Sequence, residues 1–157
     1  AIAQQAKDAL DAQTTALTSH ADALIAAVHN LPDQPEAVSA ADAVLIASPE
    51  YNFSVSGVLK NAIDHASRPY GQSAWAGKPA GLLGVSVGAI GTALAQQHLR
   101  TVLANLDMPT LGQPEAFIQA KDGLFDPQGN IGAGSRPFFQ GWVNQYVAWV
   151  KQHGKVV

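Results

Sequence analysis

The sequence predicts an α/β domain in which helices cover both faces of a parallel sheet. Two runs carry most of that reading, "AVLIAS" (residues 43–48) and "PAGLLGVS" (residues 79–86). Both are short, continuous and apolar, as strands buried on both faces are. Each is followed by a turn and then by apolar residues at spacings of three and four, the period of a helix packed on one side. An alternation of strand and helix sets the crossovers on the faces of the sheet. Because such crossovers are right-handed, every loop that follows a strand gathers at one edge.

In chain order, residues 1–13 place Ile2, Ala6, Ala9 and Leu10 at helical spacing. Residues 14–18 read as a short strand, although Leu17, Ala21, Leu24, Ile25 and Val28 also fit a helical stripe; we take a strand followed by irregular or helical structure. "NLPDQPEAVSAAD" (residues 30–42) is a loop entering a short helix. The strand at 43–48 is expected to be central. Ser54 or Ser56 then caps a helix whose buried face is Val58, Leu59, Ala62, Ile63 and Ala66 and which ends near the Pro of "SRP". After the strand at 79–86 comes the turn "VGAIG", and the next helix sets Ala95, Leu99, Val102, Leu103 and Leu106 on one side. Residues 108–118 form the last strand, broken by Pro114. A polar, Gly-rich loop at 121–135 leads to a final helix expected to bury Phe139, Trp142, Val143, Tyr146, Val147 and Val150.

The chain has 157 residues, 47% hydrophobic and 13% charged, which suits one compact domain, residues 1–157, with a substantial core. Its formal charge of -3, with Lys and Arg scattered, gives no footprint for a phosphate backbone, so nucleic acid is excluded as a partner. The absence of Cys removes disulfides, a thiolate nucleophile and Cys-based zinc or iron–sulfur sites, and the His residues are scattered too; no metal site is expected. No apolar run approaches the roughly 20 residues that span a bilayer. A soluble, cytoplasmic protein without a membrane partner is expected.

Pro49, Glu50, Tyr51 and Asn52 bring main-chain N–H and C=O groups, a carboxylate, an amide and a flat aromatic to the edge where ligands of open parallel sheets sit. Gly88 and Gly91 lack Cβ atoms and let the main chain approach a ring closely. Singly, Asn52 and Ser54 are turn or cap residues and the glycines are turn glycines. Together, after two adjacent strands, they favour a site for a planar heterocycle. His65 and Asp64 are neighbours on a helix and point apart, so they form no dyad. His98 and Arg100 are read as solvent or subunit-contact residues. Glu50 is read as a loop carboxylate satisfied by hydrogen bonds or by an intersubunit Arg, rather than as a proton relay, with Arg68 the candidate for that Arg by position. Trp75, Trp142 and Tyr146 are read as core or interface aromatics.

The segment "SPEYNFSVSGVLKNAIDHASRP" (residues 48–69) resembles the signature of the NAD(P)H-dependent FMN reductases, a flavodoxin-like family that includes chromate, azo-dye and quinone reductases. The usual pattern is Pro-Glu-Tyr-Asn, a small residue, Ser, a hydrophobic residue, Pro-Gly-x-Leu-Lys-Asn-Ala-Ile/Leu-Asp and a Ser-Arg-Pro end. The similarity continues through "GKPAGLLGVSVGAIGTALAQQHLRTVLANLDM". It implies a flavodoxin-like, doubly wound parallel sheet of order 2-1-3-4-5. One loop, Pro49, Glu50, Tyr51, Asn52, Phe53 and Ser54, would border FMN on one side, and Ser86, Val87, Gly88, Ala89 and Gly91 would wall the other. The resemblance also implies electrons passing from NADPH or NADH through FMN, by a ping-pong mechanism, to quinones, azo compounds, flavins or metal oxyanions such as chromate. The flavin carries the chemistry, so no catalytic side chain is named. A homodimer or homotetramer is implied as well.

Three departures stand out. Phe53 occupies the usual Gly position, where it would cover the ring or a subunit contact, and Ser56 the usual Pro, a loss of little cost because Ser can cap; neither removes the site. The third is the beginning, where the family's first strand and its Gly-Ser-x-Arg-x-x-Ser phosphate loop are missing. Loss of a central strand would leave two unpaired ladders, so the expectation is a chain incomplete at its N-terminus, with a rearranged fold as the alternative. The alternative function is a flavodoxin-type electron carrier without nicotinamide binding, against which the modest net charge weighs. A cofactor-free α/β scaffold is the third reading.

Overall fold

The structure, a computed structural model, describes residues 34–154. Its elements are α1 (Gln34–Ala40), β1 (Val44–Ala47), α2 (Gly57–Ala66), β2 (Ala80–Ser86), α3 (Ala93–Asn105), β3 (Phe117–Gln119) and α4 (Arg136–His153). The helix read at 1–13 and the strand at 14–18 lie outside the described residues, as does the expectation about a first strand and phosphate loop. The described strands form a parallel sheet of order β1-β2-β3. Val44 stands opposite Ala80, Ala47 opposite Leu83, Gly84 opposite Phe117 and Ser86 opposite Gln119.

Among the described residues β2 lies between β1 and β3. Its side chains alternate between two cores, as the two-residue strand period requires. Ala80 and Leu82 join Ile46, Ile63, Ala66, Trp75, Leu99, Leu103 and Met108, with α1, α2 and α3 on that face. Leu83 and Val85 turn the other way, to Leu111, Ala116, Ile118, Leu124 and Trp142. Among the described residues β1 pairs with β2, and Leu45 is 49% exposed.

Of the two candidate caps, Ser56 is the one used: it has extended backbone, and its Oγ accepts from the Leu59 N–H at 3.3 Å. The chain after α2 folds back so that the buried Trp75 donates from Nε1 to the Ile63 carbonyl at 2.9 Å, which makes Trp75 a core residue. α3 buries Ala95, Leu99 and Leu103 as expected, and also Gln96. Arg100, read as a solvent or subunit-contact residue, is half-buried and donates from Nη1 to the Leu111 carbonyl at 2.8 Å.

The last strand is interrupted, as Pro114 suggested. Thr110 bridges Ala80, with Leu111 N–H donating to the Ala80 carbonyl at 2.8 Å; the chain leaves the sheet at 112–115 and returns where Gly84 N–H donates to the Ala116 carbonyl at 3.2 Å.

α4 corrects one expectation. Trp142 is buried and Phe139, Tyr146 and Val150 half-buried, but Val143 and Val147 are exposed. Apolar residues are spread over more than one side of this helix, and the face that docks is selected by a gap in the sheet. A Cβ on Gly81 would lie 2.6 Å from the Tyr146 ring and 2.9 Å from Trp142, so glycine is what admits this aromatic pair. The two rings stack with centroids 5.5 Å apart. Seating them over β2 turns Val143 and Val147 outward. No helix among the described residues is long and apolar enough to cross a membrane.

Candidate functional site

The loop after β1 starts from the sheet ladder. Ser48 N–H donates to the Leu83 carbonyl at 3.1 Å, and its Oγ donates to the Pro49 carbonyl at 2.9 Å. Two reciprocal bonds then close a tight turn, Tyr51 N–H to the Ser54 carbonyl at 2.9 Å and Ser54 N–H to the Tyr51 carbonyl at 3.0 Å. The two residues between them, Asn52 (φ 50) and Phe53 (φ 61), both sit in the left-handed region, as in the mirror-image turns of tight hairpins. Asn tolerates that backbone; for Phe the steric penalty is about 1–2 kcal/mol.

Side chains pin this turn to α3. Glu50 Oε2 accepts from the Ala95 N–H at 3.0 Å, and Ser54 Oγ shares a 2.9 Å hydrogen bond with Nδ1 of the exposed His98. Thr92, at the cap position of α3, makes no side-chain cap bond, so the carboxylate that satisfies an orphan N–H and faces the positive end of the helix comes from another loop. Glu50 is thus a loop carboxylate satisfied by a hydrogen bond, as read from the sequence, and its partner within the chain is a main-chain N–H.

The loop after β2 is built with almost no side chains. Ser86 Oγ accepts from the Gly88 N–H at 3.2 Å, and the Gly88 carbonyl accepts from the Gly91 N–H at 3.0 Å. Gly91 has φ +60, and a Cβ there would lie 2.6 Å from the Phe117 carbonyl carbon and 2.7 Å from the Ile118 nitrogen. The close approach Gly91 permits is therefore to β3. Gly84 serves the same purpose within β2, where a Cβ would collide with the Ser48 carbonyl and with Thr92 Oγ1.

Both loops meet at the first turns of α3, one leading directly into it and the other tied to it through Glu50 and Ser54. Behind them, the fully buried Gln96 donates from Nε2 to Thr92 Oγ1 and to the Ala116 carbonyl, each at 2.9 Å, and so locks the start of α3 to β3. Sequence reasoning missed Thr92, Gln96 and the His98 contact. Thr92 and Gln96 do fall on the same helical stripe as Leu99 and Leu103, the one signal that they face inward. Pro49, Glu50, Ser54 and Ser86 are half-buried, while Asn52, Gly88 and Ala89 are exposed, as are Tyr51 at 52%, Phe53 at 66% and Val87 at 75%. The N–H groups of Asn52, Phe53, Val87 and Ala89 have no acceptor among the described residues. Exposed main-chain donors, an amide and flat apolar surface form a donor set that fits the polar edge and the faces of an isoalloxazine.

A hollow of about 430 Å³ lies elsewhere, between Thr110, Leu111, Gly112 and Gln113 and the end of α4 at Gln145, Ala148, Trp149 and Gln152. Thr110 pairs with Ala80, the first residue of β2, so the hollow sits at the opposite end of the sheet from the two loops. It holds no ionisable side chain, and the loops are the better candidate.

Fold and site define a class: parallel α/β proteins with a ligand edge beyond the carboxyl ends of the strands. Within it, the chain belongs to the NADPH-dependent FMN reductase family, whose model matches residues 3–122. FMN and a nicotinamide electron donor are the cofactors of that family. The chain is 51% identical over 115 residues to a 2-hydroxy-1,4-benzoquinone reductase from Burkholderia sp, covering 73% of this chain and 63% of the relative. It is 50% identical over 116 residues to a quinone reductase from Pseudomonas putida, covering 74% and 62% respectively. The chain therefore spans about three fifths of the length of these curated relatives. Among solved structures, FerB, a flavoenzyme NAD(P)H:(acceptor) oxidoreductase from Paracoccus denitrificans, superposes with a TM-score of 0.73 at 42% identity, over 77% of this chain and 67% of that one.

Proposed function

We propose that the protein is an FMN-dependent NAD(P)H oxidoreductase whose acceptor is a quinone. The observation that carries this reading is the convergence of the two loops on the start of α3, with exposed main-chain donors and with the one loop carboxylate, Glu50, engaged by the Ala95 N–H. Pro49, Tyr51, Asn52, Ser54 and the main chain of Glu50 would hold one side of FMN, with Phe53 at the tip of the same loop. Ser86, Val87, Gly88 and Ala89 would hold the other side, and Gly91 sets the turn that carries them. Bound FMN supplies the two-electron chemistry, by which NADPH, H⁺ and a quinone become NADP⁺ and a hydroquinone. The chain's own contribution is orientation. Glu50 and Ser54 fix the first loop to α3, and Gln96 holds α3 against β3, so the main-chain donors keep their positions without a general acid or base from the protein.

The reading extends to one flavodoxin-like domain over residues 1–157 with sheet order 2-1-3-4-5, ping-pong turnover, a cytoplasmic location and a homodimer or homotetramer. Azo compounds, free flavins and chromate are further acceptors within it. The named relatives that reduce quinones support the acceptor class.

Anaerobic addition of NADPH to the FMN-loaded protein tests the proposal. Rapid bleaching of the visible flavin band, restored by one equivalent of benzoquinone, is expected. A yellow protein that NADPH leaves unbleached is an electron carrier instead, and a preparation that takes up no FMN at all ends both readings.

A further inference from the structure

We propose that Phe53 sets acceptor specificity: its ring, held out at the flavin edge, is the platform on which a neutral planar acceptor of the quinone class stacks. This rests on the reductase reading above and adds a residue and a selectivity to it.

The first support is that the fold gains nothing from Phe at this position. Phe53 occupies a turn site with φ 61, where Gly fits freely and a bulky side chain is disfavoured. A Phe offsets such strain when its ring is buried, but this one is 66% exposed. Local conformation and solvation both oppose the residue. Strain of this kind persists where the surroundings over-determine the backbone, and it points to a use outside folding.

The second is that the ring's base is rigid. Two reciprocal hydrogen bonds between Tyr51 and Ser54 bracket it, and Glu50 and Ser54 anchor the turn to α3 on either side. An aromatic carried on a fixed backbone loses little entropy when a second ring stacks on it.

The third is the chemistry of the surroundings. Tyr51, Val87, Ile90 and Leu94, on the two loops and the first turn of α3, are all exposed. Neither loop carries Lys or Arg, and the one carboxylate, Glu50, is engaged by the Ala95 N–H. Among the described residues, the exposed His98 contacts the turn through Ser54. Such an edge suits an uncharged ring and offers no fixed cation to an oxyanion such as chromate.

The test compares FMN-loaded wild type with Phe53→Gly and Phe53→Trp, following thermal unfolding, FMN occupancy, bleaching by NADPH and steady-state kinetics with benzoquinone and chromate. Phe53→Gly is expected to unfold at a higher temperature than wild type and to keep FMN, while its KM for benzoquinone rises about tenfold, the loss of one ring–ring contact. Its kcat/KM for chromate relative to benzoquinone rises correspondingly, and Phe53→Trp restores the quinone KM. Equal quinone KM in Phe53→Gly and wild type, with bleaching intact in both, overturns the assignment and leaves the reductase reading standing. Loss of FMN from Phe53→Gly makes the ring a flavin contact, and a change of oligomeric state at constant KM makes it a subunit contact; either outcome also overturns the assignment. A wild-type holoprotein that NADPH does not bleach removes the reductase reading and this inference together.

Discussion

The two loops that meet at α3 are built by opposite means. The one after β1 is held by what its side chains reach: Glu50 to the Ala95 N–H, Ser54 to His98. The one after β2 is held by what its residues lack, since Gly91, like Gly84 in the strand that leads to it, sits where a single added carbon would strike main chain or Thr92. Polar tethers can be removed one at a time at modest cost, whereas a close-packed main chain has no intermediate setting. The first loop is therefore the region of the site open to variation, and the second is the fixed wall against which it works.

The largest break in that contrast is expected from Gly91→Ala. The new Cβ meets the backbone of β3, which cannot swing aside, and it does so at a positive φ, so about 3 kcal/mol or more of stability should be lost on chemical denaturation. A loss below about 1 kcal/mol would show that the second loop is less rigid than its geometry implies. Next comes Glu50→Ala, which uncaps α3 and should cost about 1 kcal/mol by the same measurement. Glu50→Gln keeps an acceptor without the charge and should recover some of that loss, which separates the hydrogen bond from the helix-dipole contribution. Ser54→Ala should be smaller still, below about 1 kcal/mol for an exposed bond. Its clearer effect is faster amide exchange at Asn52 and Phe53, and none at Gly88, because only the first loop depends on the tether.

A pH titration supplies the smallest effect, one that leaves both loops alone. Hydrogen bonds from the Asn130 side chain and then its N–H, and from the Gln128 N–H, hold the Asp126 carboxyl below its ordinary value of 3.8. A depressed carboxyl contributes stability above that ordinary value and loses it as pH falls through the lowered one. The turn over 126–130 should therefore loosen only in strong acid, seen by NMR as movement of the Asn130 amide signals while those of Gly88 and Gly91 stay in place.

Much of the fixed wall was legible in the sequence. The apolar run of β2, the glycines after it and the α3 stripe through Leu99 and Leu103 are local patterns, and local patterns report local structure. The tethers of the first loop were not legible in the same way. Glu50 was visible as a loop carboxylate that needed a partner, but that partner lies 45 residues along the chain, and nothing near Glu50 identifies Ala95. The choice between Ser54 and Ser56 as helix cap was open because both carry the same hydroxyl; the 44-residue reach of Ser54 to His98 decided it. The rotation of α4 was hidden for a similar reason, since Gly81, the residue that admits Tyr146 and Trp142, sits in a different element.

The departure of residues 112–115 from the third strand also has a practical side. Hydrogen bonds at Leu111 and Ala116 clamp the chain on both sides of the excursion, and a side chain at Gly112 would meet open space. Length added there should leave the pairing of the strand undisturbed. It is a natural docking bay for an inserted epitope or fluorescent reporter, and the same freedom lets descendants of this protein grow a new loop without rebuilding the old one.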